Sequence, residues 1–82
     1  MENDMCLGIP MRIAEIAGYN AVCEARGIKR NISLFMLQHE PLSVGDLVMV
    51  HSGRALEKMS EEQAALSWEA YDEILALEDL DL

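Results

Sequence analysis

Apolar and polar residues alternate along "MRIAEIA" (11–17), with Met11 and Ile13 on one face and Arg12 and Ala14 on the other. A period of two predicts a strand, because successive side chains of a strand point to opposite sides of its sheet. Gly18-Tyr19-Asn20 interrupts the alternation as a turn. "AVCEAR" (21–26) and "IKRNISL" (28–34) then flank the single Gly27, and Ile28, Arg30, Ile32 and Leu34 share one face of the second run. Two short runs about one glycine predict a hairpin. "LFMLQHEPLSVGD" (34–46) is an apolar clump followed by Pro41 and Gly45, read as a loop returning to the sheet. The clearest strand is "DLVMVHS" (46–52), β-branched and bounded by Gly45-Asp46 and Ser52-Gly53. With Val48 and Val50 toward a core, Leu47, Met49 and His51 fall on the opposite face, where His51 meets solvent or a partner. "RALEKM" (54–59) is expected to pair back across Ser52-Gly53.

At Ser60 the period changes. "SEEQ" is a capping box, in which the Ser60 hydroxyl accepts from the Gln63 amide and the Gln63 side chain accepts from the Ser60 amide. Glu61 and Glu62 fall in the first turn, at the positive end of the helix dipole. Ala64, Trp68, Tyr71 and Leu75 recur at helical spacing, with Ala65 and Ile74 alongside, and predict one amphipathic helix over residues 60–77 and a fraying "EDLDL" end. Several short strands and one helix are too few for a two-sheet sandwich. They predict a single domain over residues 1–82: mainly β, a small barrel over 5–59 with the C-terminal helix beside it.

Size sharpens this picture. A chain of 82 residues supports one thin core, here of Ile, Leu, Val, Ala and Met, and favours binding at a surface over an enclosed active site. No run approaches the ~18 apolar residues of a membrane-spanning helix. The acidic opening Met-Glu-Asn-Asp lacks the basic start of a secretory signal, so a cytoplasmic location is expected, with thiols reduced. Charge is divided unevenly. Residues 1–59 carry six basic and seven acidic side chains, whereas residues 60–82 carry eight acidic ones and no basic one. That acidic end repels phosphate backbones and argues against nucleic acid as a partner. It is either a solvated helix face or a docking surface.

The candidates for chemistry are few. Cys6, Cys23, His39 and His51 lie too far apart for any metal-binding signature of paired cysteines or histidines. Cys23 sits mid-strand, where a free cysteine serves as a small buried hydrophobe. Cys6 precedes a bent Leu7-Gly8-Ile9-Pro10 segment that can display a thiol, a nucleophile and a ligand for soft metal fragments. His51 ends the strongest strand and is a proton carrier, a ligand or a hydrogen-bonding strand end. A Cys6–His51 nucleophile pair would lack an orienting third residue and an oxyanion hole, so enzyme is the weaker class.

Three blocks together resemble the HypC/HupF family of hydrogenase assembly chaperones: "MCLGIPMRI" (5–13), "AVCEARGIKRNISLFML" (21–37) and "VGDLVMVHSGRALEKMSEEQA" (44–64). The resemblance implies an OB-like β-barrel with a C-terminal helix and no enzymatic activity. It implies a cytoplasmic metallochaperone that binds the HypD scaffold protein and carries an Fe(CN)2CO fragment to the large-subunit precursor of a nickel–iron hydrogenase. No cofactor is then permanently bound; the iron, with its cyanide and CO ligands, is transient cargo. Neither nucleic acid nor membrane is a partner. The family's cysteine maps onto Cys6 and its histidine onto His51, and Cys6, Leu7, Gly8, Ile9, Pro10 and His51 form the implied partner-binding set. Low-spin iron with these ligands is soft enough for a thiolate, and His51 can add a second ligand or a hydrogen bond to a cyanide nitrogen.

One departure concerns the start. In the family the cysteine follows the initiator methionine, whose removal frees its amine, whereas here residues 1–4 are extra and precede Met5. Three readings stand: translation from Met5, residues 1–4 foreign to the natural chain, or an amine that is not needed. The competing function is a generic OB-like binding module without metal cargo, which predicts basic stripes and stacking aromatics on the barrel. The apolar "LGIP" and "LFML" stretches are expected docking surfaces.

Overall fold

The structure, a computed structural model, describes residues 8–80, with side chains described through residue 76. The alternating runs form β1 (Ile9–Ala17), β2 (Asn20–Ala25), β3 (Ile28–Ser33), β4 (Leu47–His51) and β5 (Arg54–Met59), followed by α1 (Glu61–Leu80). The strands close into a barrel in the order β1-β2-β3-β5-β4, antiparallel except where β3 meets β5. This is the predicted small barrel with one C-terminal helix.

Turn chemistry sets the registers. Arg26-Gly27 and Ser52-Gly53 each place two residues at positive φ (53° and 84°; 54° and 78°), the two-residue turn whose twist suits a tight hairpin. Ala25 thereby faces Ile28, and His51 faces Arg54. In β1 a bulge leaves Ala14 without a ladder partner, so that Ile13 and Ile16, an odd and an even position, pair opposite Cys23 and Ala21.

The barrel interior is filled by Met11, Ile13, Ala21, Cys23, Ile32, Leu34, Leu37, Val48, Val50 and Ala55. Val48 and Val50 point inward as expected, and Cys23 is fully buried. Ile28 and Arg30 share the parity of Ile32 and Leu34 but are exposed, because among the described residues that half of β3 has no strand on its other side. The predicted loop contains a 3-10 turn (Phe35–Leu37) that buries Leu37 and leaves Phe35 and Met36 outside.

A second, smaller cluster lies outside the barrel wall, where Leu47, Met59 and Ala64 pack with Met49. The outer face of β4 is therefore not uniformly open: Leu47 is buried, while Met49 and His51 are half-buried. The capping box forms in both directions, each bond 3.0 Å, and Arg12 holds Glu61 through two 3.0 Å bonds. The helix runs to Leu80, past the predicted stop at Leu77. Only the first half of its apolar stripe is covered: Ala64 is buried, Trp68 and Tyr71 are half-buried, and Ile74 and Leu75 are exposed. No helix among the described residues is long and apolar enough to cross a membrane.

Candidate functional site

Closure of the barrel between β3 and β5 is narrow. A single pair, Ser33 with Arg54, joins them, and the Ser33 amide donates to the Gly53 carbonyl at 2.9 Å. Along the rest of β3 the wall opens into a cleft of about 480 Å³. Its floor is Ile9 and Met11 of β1, Val50 of β4 and Ile32 of β3. His51, Ser52-Gly53, Ile28 and Arg30 form its rim, and Trp68 and Tyr71 reach it from the helix.

The helix is tied to this cleft by Arg26, at the tip of the β2–β3 hairpin. Its guanidinium grips both Asp72 carboxylate oxygens, at 2.8 and 2.9 Å, and lies 4.0 Å from the centre of the Trp68 ring. Trp68 in turn meets Tyr71 edge to face, with ring centres 5.6 Å apart. The hydrogen bonds from Arg26 hold the Asp72 carboxyl below the usual carboxylate range and raise the Arg26 pKa. Sequence reasoning assigned Trp68 and Tyr71 to a packing stripe and gave Arg26 no role. A charged residue in a turn position that favours asparagine or glycine was the available signal.

Of the predicted site residues, Ile9 and His51 both line the cleft, and Ile9 pairs with Val50, the neighbour of His51. Gly8 passes so close to β4 that a Cβ there would lie 2.5 Å from Met49 Sδ and 3.2 Å from the Val50 carbonyl. Pro10 is buried, with a relative exposure below 2 %, so it anchors the strand and presents no side-chain surface. Cys6 and Leu7 lie outside the described residues. Cys23 is sealed in the core, where desolvation raises its thiol pKa, and His39 is exposed on a loop away from the cleft lining. Among the described residues no group of three or more His, Cys, Asp or Glu side chains is arranged to hold a metal ion. The "LFML" stretch divides: Leu34 and Leu37 are buried, whereas Phe35 and Met36 are more than half exposed, with Tyr19 edge to face against Phe35.

The sequence compares as follows with known proteins. The family described as HupF/HypC matches residues 5–71. The hydrogenase expression/formation protein HupF of Bradyrhizobium diazoefficiens is 41% identical over 68 residues, covering 83% of this chain and 67% of that protein. The hydrogenase maturation factor HypC of Helicobacter hepaticus is 40% identical over 72 residues, 87% of this chain and 83% of its own length. HypC of Escherichia coli K12 is 30% identical over 78 residues, with 90% and 87% covered.

Proposed function

This chain belongs to the HupF/HypC family, and on that premise we propose that it is a hydrogenase maturation factor that escorts iron. It acts as a chaperone, not an enzyme, in the cytoplasm. It takes an Fe(CN)2CO fragment from the HypD scaffold and delivers it to the large-subunit precursor of a nickel–iron hydrogenase. Cys6 binds the fragment as a thiolate, which a soft, low-spin iron accepts and can release by ligand exchange. His51 supplies either a second ligand or a hydrogen bond to a cyanide nitrogen.

The observation that supports this reading best is the entry of the chain into β1. Gly8 crosses tight against Met49 and Val50, and Ile9 pairs with Val50, so the chain enters the barrel at the rim where His51 stands. Two peptide units separate Cys6 from Gly8, which bounds the distance between their Cα atoms at about 7 Å. The buried Pro10 and the Ile9–Val50 pair make a fixed base for that tether. HypD and the precursor dock in turn on the segment around residues 6–9 and on the cleft rim, each excluding the other.

The test is an infrared spectrum in the metal-bound cyanide and CO stretching region. The protein, tagged at its C-terminus, is purified without oxygen after co-expression with its maturation partners, beside Cys6→Ala. Bands in the wild type that vanish in Cys6→Ala are expected. Bands absent from both, with the partners shown to be present, would leave a binding module without cargo.

A further inference from the structure

A row of main-chain groups along β3 faces the cleft, and no strand among the described residues meets it. Ala25 and Ile28 flank a two-residue hairpin turn and therefore exchange bonds, so Ile28, Arg30 and Ile32 direct their peptide groups to β2. Lys29, Asn31 and Ser33 then direct theirs to the opposite edge. Ser33 conforms, since its N–H reaches Gly53. Further along that edge the Lys29 carbonyl accepts from Arg30 Nη1 at 3.0 Å, and among the described residues Asn31 has no ladder partner there. The edge is thus covered in part by an exposed charged side chain, one of the devices that blunt an open strand edge.

Charge is distributed to match. Of the chain's six basic residues, Arg12, Arg26 and Lys58 sit in ion pairs with Glu61, Asp72 and Asp46. The other three, Lys29, Arg30 and Arg54, make no ion pair among the described residues, although Glu24 faces Lys29 across the β2–β3 ladder, and all lie on β3 or at its closing pair. In a chain of net charge −9, the cations that make no ion pair among the described residues are gathered on β3 and at its closing pair.

We propose that the open edge of β3 accepts an acidic, extended segment of a partner protein as an added strand. The Lys29 and Asn31 peptide groups supply the ladder, and Lys29, Arg30 and Arg54 supply the charge. Strand addition draws affinity from main-chain bonds and selectivity from pockets for alternate side chains. Here the cleft beneath Ile28 supplies the pocket, and Arg30 leaves the Lys29 carbonyl to meet a carboxylate. A nucleic acid has no alternating donors and acceptors to fit this edge, and the acidic helix repels it. The proposal shares with the proposed function the use of this face for docking, and needs neither Cys6 nor iron.

The test uses an end-capped eight-residue peptide of alternating aspartate and valine, compared with its lysine–valine counterpart, on the full chain. Amide hydrogen exchange and titration are the readouts. The aspartate peptide is expected to slow exchange at Lys29 and Asn31 about tenfold or more. It should bind Cys6→Ala as it binds wild type. Asn31→Pro, which removes one open-edge N–H, should lose binding, and the double surface variant Lys29→Glu/Arg54→Glu should weaken it about tenfold and prefer the lysine peptide. Protection confined to Phe35 and Met36, or equal binding of both peptides, would overturn the proposal. So would equal protection by a single-stranded oligonucleotide, or self-association that already protects Lys29 and Asn31 without peptide. Missing infrared bands with peptide binding intact would remove the iron cargo and leave this surface standing.

Discussion

Two residues determine how the chain enters its barrel. The Ile13 N–H reaches Asp46 on the β4 side, so by alternation the position of a Pro10 N–H lies on the β2 side. Pairing with β2 begins only at Arg12, and the missing donor therefore breaks no ladder bond. Gly8 is required for space, because any side chain there would push into Met49 and approach the Val50 carbonyl. Gly8→Ala is expected to cost about 1 kcal/mol by overpacking. Most of that cost should disappear in a Met49→Ala background, which leaves room for the added methyl. Urea denaturation of the four chains measures the coupling, and simple additivity would show that the contact does not govern this crossing.

At the scale of elements, the hairpin tip and the helix are held together by Arg26. A left-handed arginine in the turn is less favourable than asparagine, and its contacts with Asp72 and Trp68 offset that cost. Arg26→Asn should preserve the β2–β3 hairpin while releasing Asp72 and Trp68, and the fluorescence of the single tryptophan reports the release. Acid should act at the same place. The folded Asp72 pKa lies below its unfolded value of about 3.9, so the contribution of the pair is complete above that pH and is lost as pH falls through the folded value. Trp68 emission is therefore expected to stay constant from neutral pH to about pH 4 and to change only below it. A flat acid titration in wild type, or an identical transition in Arg26→Asn, would rule out this latch.

For the whole molecule, the division of charge matters more than its sum. Residues 60–82 carry eight acidic groups and no basic one, and among the described residues the barrel returns the Arg12–Glu61 and Arg26–Asp72 pairs to them. Both pairs are solvent-exposed, and such pairs contribute little net stability. Self-repulsion along the helix is long-ranged at low ionic strength, where the Debye length is about 30 Å, and is screened at physiological salt. The melting temperature should therefore rise by a few degrees between about 10 mM and about 200 mM salt. A fall over that interval would mean that the ion pairs outweigh the repulsion.

Strand periods, the two glycine hairpins, the Ser60–Gln63 cap and the inward faces of Ile13, Val48 and Val50 were all legible in the sequence. Each is encoded within a few neighbouring residues, as side-chain alternation or as a turn that only certain residues tolerate. His51 could be placed at a strand end on the outer face, but not at a cleft. The cleft, the grip of Arg26 on Asp72 and Trp68, the burial of Leu47 under Ala64 and the open edge of β3 belong to the tertiary structure alone. They depend on where a tilted barrel closes, at the single Ser33–Arg54 pair, and on which wall the helix crosses. Those are relations between residues far apart in the chain, and no local period carries them.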